Sequence, residues 1–508
     1  MERYLLGVDV GTSSVKVAII DESGTQLGLS SAEHPVISPR EGWQEVSSKL
    51  IWEAFLTCTA QLISGGIDPE RIAGIGISCL CPGLVALSED GDVIHEPIIY
   101  SDRRSTAEAE EIKSKVGMDL LFSITANNCM SGAMSGTSML WIKHHRPDIY
   151  EKTHYFGHIN SMMAAKMTGK VAIDYSNASY TSVFETAGNL CWSQELCNTI
   201  GLDIEKLPPL LPSSGVVGGL IAKDLINLGI PAGTPVVIGG GDTACASLAA
   251  GIVKNGDVCD SSGTTNVLTV CVNQPKFDRG FINRCHVVPG TWIYQGAMSH
   301  AGSSLRWMRD KICPDVKKQA NELGMNPFDL LTAMAKDSPA GANGVVFLPY
   351  MMGERSPVWD SNARGVFFGL SLDTQRRDLI RAVLEACGYG TRQLKEMAEQ
   401  LTGLHFDRFY ALGGGAKSEV WAQIKADIMG VDLDVLDMND MAPVGAALLA
   451  GVGTGIFRDP VDASAHIQRK LYKRIYSSDE NHAVYDKQFE VYKELYPRLK
   501  ELYDGNRS

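Results

Sequence analysis

The stretch from Tyr4 to Asp21 constrains the fold of this chain more than any other. Tyr4-Leu5-Leu6-Gly7-Val8-Asp9-Val10 is an apolar run with one carboxylate near its end. Gly11-Thr12-Ser13-Ser14 is a tight polar turn, and Val15-Lys16-Val17-Ala18-Ile19-Ile20-Asp21 is a second apolar run leading out to Glu22-Ser23-Gly24. This order predicts strand, polar hairpin, strand. The turn offers backbone N–H groups and hydroxyls that hold phosphate, and Asp9 beside it can orient a hydrated metal. Ordinary β-hairpins carry the same residue types, so the reading needs support from the rest of the chain.

At 508 residues the chain exceeds one hydrophobic core, which predicts two domains or more. A formal net charge of −13 with no visible basic patch argues against nucleic acid or an anionic membrane as partner. A small anion remains compatible, because backbone amides, a metal and a few cations hold it locally. No basic segment followed by an apolar core opens the sequence, so no signal peptide is expected. The most membrane-like stretch, 236–253, is broken by glycines and Asp242. The twelve cysteines are scattered, with Cys79-Leu80-Cys81 the only close pair, and the histidines form no HExxH-type cluster. Reduced, mostly buried thiols in a cytoplasmic protein are the expectation.

Strand-like runs alternate with amphipathic helical patterns throughout, the mark of an α/β architecture. A helix is predicted over 48–63, with strands over 72–78 and 85–87 and a loop at Cys79-Leu80-Cys81-Pro82-Gly83. Tyr100-Ser101-Asp102-Arg103-Arg104 follows an apolar run and opens a charged helix. After a Pro- and Gly-rich segment, Pro235-Val236-Val237-Ile238 reads as a buried strand, Gly239-Gly240-Gly241 as a glycine turn, and Asp242 as the head of a small-residue helix ending near Gly251. The run from Gly256 to Val270 repeats the N-terminal plan, strand, Ser/Gly/Thr hairpin, strand, about half a chain later. The expected domains are therefore 1–247 and 248–460, with 461–508 a helical extension packed as a helix pair.

A third element, Phe409-Tyr410-Ala411-Leu412-Gly413-Gly414-Gly415-Ala416-Lys417-Ser418, runs a strand into three glycines and a helix. Glycines let backbone approach a flat ligand, and a helix N-terminus faces it. Neither GxGxxG nor GxxxxGK[ST] occurs. Asp242 reads either as a helix cap or as a base that accepts a hydroxyl proton during phosphoryl transfer, and the two roles are compatible.

Over nearly its whole length the chain resembles the FGGY family of carbohydrate kinases, its xylulokinase-like members most closely. The long C-terminal signature carries the resemblance: Gly365-Val366-Phe367-Phe368-Gly369-Leu370, Asp378-Leu379, and Ala382-Val383-Leu384-Glu385. Pro349-Tyr350-Met351-Met352-Gly353-Glu354-Arg355-Ser356-Pro357 resembles a segment that commonly precedes it. The N-terminal signature is partial, with Trp141 in place and Ser138 where Lys is usual.

The resemblance implies two actin-like (ribonuclease H-like) ATPase domains facing a central cleft, with ATP, Mg²⁺, and transfer of the γ-phosphate to a sugar or polyol hydroxyl. By motif position, Asp9 would serve the metal, and Gly11, Thr12 and Ser13 the phosphates. Gly263 and Thr264 would form a second phosphate hairpin. Gly302 and Arg306 would lie by the nucleotide, and Gly414, Gly415 and Ser418 would border adenine and ribose. Asp242 would be the general base.

Around the sugar, Cys81, Pro82, Tyr100, Asp102, Asp242 and Thr243 would make the site. Its loop, Leu80-Cys81-Pro82-Gly83, departs from the Gln-Met-His-Gly of xylulokinases and lacks the Arg-Glu pair of glycerol kinases, and Thr243 replaces an Asn. Loss of a hydrogen-bonding His bears directly on substrate choice. A ketopentose such as xylulose is the first expectation; glycerol, erythritol, ribulose and gluconate are alternatives. An actin- or chaperone-like ATPase is the rival class, disfavoured by the C-terminal signature. The sequence leaves the oligomeric state open, a homodimer included.

Overall fold

The structure is a computed structural model that describes residues 2–438 and 440–505. It separates into two compact units. The first comprises Met1–Asn255, Asn283–Ile293 and Asp440–Gln468; the second comprises Gly256–Ile282, Tyr294–Asn439 and Arg469–Ser508.

In the first unit, strands Tyr4–Val10, Ser14–Asp21 and Gln26–Glu33 form an antiparallel meander. Ile72–Cys79 runs parallel to the first strand, Pro235–Gly241 runs parallel to that, and Val216–Gly219 closes the edge antiparallel. All of Tyr4–Val10 is buried, so this strand is covered on both faces. Period-2 alternation sorts its side chains. Leu6, Val8 and Val10 join the core beneath helix Ser48–Ser64, while Leu5, Gly7 and Asp9 point to the other face.

That other face is covered by helix Met441–Gly453, which also packs on helix Asp242–Ala250. The approach is close enough to exclude side chains. A Cβ at Gly7 would sit 1.8 Å from the Pro443 carbonyl oxygen, and one at Gly76 would sit 1.9 Å from that of Ala446. On the helix side, a Cβ at Gly445 would lie 1.9 Å from the Cys245 oxygen. Glycine inside a strand is normally a weakness; here it is where another backbone comes near.

One expectation is corrected here. The glycines after Ile238 are not a turn but part of the strand Pro235–Gly241. Its register shifts between Val237 and Gly240, and Gly239 adopts φ +67° against the Ile77 carbonyl. Residues 440–460, expected in the C-terminal domain, pack with the first unit, where the glycine contacts hold the returning helix on its sheet.

The first unit carries a second, antiparallel sheet in the order Val36–Ile37, Glu45–Val46, Val93–Ile99, Gly83–Leu87, Tyr155–His158. Cys81 and Pro82 lie at the root of its strand Gly83–Leu87, and Tyr100 and Asp102 follow Val93–Ile99.

The second unit repeats the hairpin plan: Val258–Ser262 and Asn266–Val272 are antiparallel, and Arg408–Leu412 runs parallel beside the former. Asp432–Leu436 continues the sheet and Leu471–Ile475 ends it antiparallel. The tail is therefore not a helix pair. Helix Pro460–His466 is followed by an edge strand and then by helix Asp479–Gly505. The strand is fixed by Arg474, which lies opposite Asp434 and donates from Nη2 to Oδ2 at 2.9 Å.

The glycine contacts carry a direct test. Gly76→Ala forces a methyl group onto the Ala446 carbonyl and is expected to cost about 3 kcal/mol, read as a lower Tm. Gly505→Ala, whose Cβ meets nothing within 4 Å, should leave the melt unchanged.

Candidate active site

Asp9 lies one residue from the end of the first strand and is 7% exposed. Ser78, its ladder partner on the adjacent parallel strand, donates its hydroxyl to Asp9 Oδ1 at 2.7 Å. Burial, and after it the Asp242 carboxylate, pushes the Asp9 carboxyl up to about 7. Lys16 sits directly across the hairpin ladder from Asp9, but it is engaged by Asp440 at 2.6 Å.

Asp242 is the first residue of helix Asp242–Ala250, whose N-cap is Gly241. Its Oδ1 accepts from Thr243 N at 2.6 Å and from Thr243 Oγ1 at 3.2 Å. The carboxylate is thus tied to its neighbour rather than used up as a cap. Desolvation pushes it above the ordinary range, opposed by Arg284 and by the two Thr243 bonds.

Beneath Asp242 lies a buried polar bed. Gly241 N donates to Ser176 Oγ at 3.0 Å, and the Arg284 guanidinium packs so near that a Cβ at Gly241 would lie 2.1 Å from Nη2. Arg284 donates to Tyr180 Oη at 3.3 Å and to the Ser176 carbonyl at 3.4 Å. Asp174, fully buried, accepts from Ser176, Ser213, Asn160 and Asn177. Because the Asn177 amide nitrogen donates to Asp174, its oxygen faces His158 Nδ1 at 3.1 Å. His158 Nε2 then accepts from Ser135 Oγ at 2.8 Å. Burial holds this imidazole neutral, its pKa down to about 4.

The other expected acceptor-site residues divide. Thr12 Oγ1 donates to Tyr100 Oη at 3.4 Å, so a residue expected at the phosphates and one expected at the sugar meet. The turn itself closes by Gly11 N donating to Ser14 O at 2.9 Å, leaving Ser13 exposed. Cys81 Sγ lies 3.9 Å from His158 Nδ1, and desolvation keeps the thiol protonated. Pro82, after a cis peptide, is buried. Asp102 is wholly occupied by the protein. It accepts from Gln44 N at 2.6 Å and from Arg104 N and Nη2 at 2.8 Å, and so holds Arg104 between Trp43 and Trp141.

In the second unit a cavity of about 430 Å³ is lined by Gly263, Thr264, Gly302, Arg306, Gly414, Gly415 and Ser418, all seven nucleotide-side residues read from the sequence. Leu305, Asn326, Phe328, Asp329, Thr332, Lys417 and Trp421 complete it. Gly302 N donates to Gly263 O at 3.1 Å and Ser303 N to Thr264 O at 3.0 Å. Arg306 Nη2 reaches Thr264 Oγ1 at 3.4 Å. A Cβ at Gly302 would lie 2.4 Å from Gly263 O, whereas one at Gly414 would meet nothing within 4 Å and would point into open space.

The hairpin is braced from below by Lys425. This buried ammonium pairs with Asp260 and donates to Ser262 Oγ at 2.7 Å and Asn266 Oδ1 at 2.9 Å. Among the described residues no group of three or more His, Cys, Asp or Glu could hold a metal ion.

The sequence reading missed Ser78, Asp174, His158, Arg284 and Lys425. Asp174 had a signal, since Asp-Tyr-Ser-Asn is a good helix start and Asp174 N-caps it. Arg284 and Lys425 had none, because their partners lie 108 and 165 residues away.

Residues 4–249 match the N-terminal domain of the FGGY family of carbohydrate kinases, and residues 260–454 match its C-terminal domain. This chain belongs to that family. It is accordingly a phosphotransferase with an alcohol group as acceptor and ATP as co-substrate. Among curated relatives, the xylulose kinase of Bacillus subtilis is 29% identical, covering 98% of each chain. The gluconokinase of the same organism is 28% identical, over 93% of this chain and 92% of its own. The solved xylulose kinase of Rhodospirillum rubrum superposes with a TM-score of 0.90 at 28% identity, covering 99% of this chain and 100% of its own.

The buried Lys425–Asp260 pair is testable by a cycle. Lys425→Met strands a buried carboxylate and is expected to cost about 3–5 kcal/mol in denaturant unfolding. Adding Asp260→Asn should recover much of that loss.

Proposed function

We propose that this enzyme transfers the γ-phosphoryl group of ATP to a hydroxyl of a ketopentose such as xylulose. The observation that carries the reading is the convergence on one cavity of the seven residues, from 263 to 418, that the family resemblance assigns to the nucleotide. Glycine backbone borders that cavity where a base and ribose need close approach, and Arg306 supplies a cation beside the Thr264 hairpin.

In the first unit Asp242 acts as general base. It takes the proton of the acceptor hydroxyl as that oxygen forms its bond to γ-phosphorus. Desolvation raises its basicity toward the working pH, and Arg284 keeps the rise within bounds. Tyr100, Cys81, Pro82 and Thr243 border the acceptor; Asp102 acts through Arg104.

Mg²⁺ fits Asp9. Ser78 takes one of its oxygens, the other accepts no bond from the described residues, and the raised pKa marks a carboxyl that a divalent cation would ionise. Magnesium commonly takes only one or two carboxylates and completes its shell with water and substrate phosphates. When bound, it would neutralise charge on those phosphates.

Relatives at nearly equal identity include gluconokinases, and the Leu80–Gly83 loop matches neither xylulokinases nor glycerol kinases, so polyols and sugar acids belong in the same screen. No helix of the described residues is long and apolar enough to cross a membrane, and all twelve cysteines are free, which supports a cytoplasmic setting.

ADP release measured over ketopentoses, pentitols, glycerol, erythritol and aldonates should single out one class, with xylulose expected first. Asp242→Ala should lower kcat by about 100-fold or more while ADP still binds; turnover near the parent's would overturn the base assignment.

A second measurement concerns Asp9. Its folded pKa of about 7 lies above the ordinary carboxyl value of 3.8, so between those values the folded state binds the extra proton and stability falls as pH rises. Asp9→Asn removes that loss. At pH 8 without metal the variant should melt above the parent, although inactive, and added Mg²⁺ should raise the Tm of the parent alone.

A further inference from the structure

The segment Gly353-Glu354-Arg355-Ser356-Pro357 has no part in the site as described, yet it is built onto the turn that grips the phosphate hairpin. Glu354 is buried, and its Oε1 accepts from Ser299 N at 2.6 Å and from Arg355 N at 2.7 Å. Met352 N donates to His300 Nε2 at 3.2 Å, and His300 Nδ1 faces Ser303 Oγ at 3.2 Å. Ser303 N and Ala301 N in turn donate to the Thr264 carbonyl at 3.0 and 3.3 Å. This is one continuous bonded path from the Glu354 loop to Thr264.

Arg355, next to Glu354, supplies the cation of that loop. Its Nε donates to Ser299 Oγ at 3.3 Å, which anchors the guanidinium at its root and leaves Nη1 and Nη2 without a hydrogen-bond partner among the described residues. Its interaction with the Glu354 carboxylate is coulombic, with no hydrogen bond between the two side chains. The guanidinium is half-buried and held by its loop, and its two outer nitrogens form the planar fork that suits phosphoryl oxygens. The guanidinium also offsets part of the desolvation of the neighbouring Glu354 carboxyl, while its outer nitrogens stay available to a ligand.

We propose that Arg355 is a catalytic residue whose guanidinium binds the γ-phosphoryl oxygens as they gain charge in the transition state. The proposal rests on the reading that ATP phosphates lie at Gly263 and Thr264. In the step it serves, the acceptor oxygen bonds to γ-phosphorus and the bond from γ-phosphorus to the β,γ-bridging oxygen breaks. ADP leaves with that electron pair, and the hydroxyl proton passes to Asp242. Charge spread over the three equatorial oxygens is what an arginine in this position stabilises.

The test compares Arg355→Ala, Arg355→Lys and Arg306→Ala in the full chain, with Gly414→Val as a check on the nucleotide site. Arg355→Ala should lower kcat by about 100-fold or more with KM for ATP and ADP affinity changed by less than about threefold and Tm unchanged. Added guanidinium should restore part of the rate. Arg355→Lys, which keeps charge but not the fork, should fall between, and it carries the test if the alanine variant melts early. Arg306→Ala should instead raise KM. A kcat within about threefold of the parent, a loss confined to KM, or no response to guanidinium overturns the role of Arg355. If Gly414→Val leaves ADP affinity intact, it is the nucleotide-site reading that fails. If Gly414→Val weakens ADP binding and Arg355→Ala keeps its rate, only Arg355 falls.

Discussion

The first unit depends on a contact between two backbones. Helix Met441–Gly453 lies on strands that have given up their side chains at Gly7 and Gly76, and it touches helix Asp242–Ala250 through Gly445. Contact at this range leaves almost no freedom of position. Asp9 and Ser78 lie within two residues of those glycines on the same strands, and Asp242 heads the helix that Gly445 presses against. The placement of the two carboxylates follows from small residues rather than from polar bonds between them, which suits a pair that repel each other.

Electrostatics in the site run against comfort and are contained by the surroundings. Asp9 is buried near a second carboxylate while the nearest lysine is held by Asp440. Asp174 and the neutral His158 absorb hydrogen-bonding capacity under Asp242, and Arg284 offsets part of its desolvation. In the second unit the arrangement is reversed: there Lys425 pairs with Asp260 below the hairpin, and Gly263 and Thr264 above border the cavity. Strain is kept where charge will arrive, and neutrality where support is needed.

Much of this was legible in the sequence, and the pattern of success is physical. Both phosphate-type hairpins, the Gly413–Ser418 turn and the Asp242 helix were readable because each is encoded by neighbours: alternation, turn residues, a helix start. What escaped depends on distance along the chain. The packing of 440–460 on the first unit and the partners of Arg284 and Lys425 rest on contacts made across a hundred residues or more, and the edge strand Leu471–Ile475 on a partner strand 40 residues back, for which a local pattern holds no trace. Asp102 shows a different limit. Its motif was legible as a polar residue after an apolar run, but only the fold reveals that Arg104 and Gln44 take up the whole carboxylate.

The return of helix Met441–Gly453 also bears on synthesis. As the chain emerges from a ribosome, residues 1–255 arrive with a sheet whose second face is bare, and the helix that covers it is made only after the sheet of the second unit up to Leu436. Ordinary domains fold one after another as they appear. Here the earlier unit must wait for the later one, holding a strip of glycine-lined apolar strand open in the interval, and nascent-chain chaperones have a defined surface to guard.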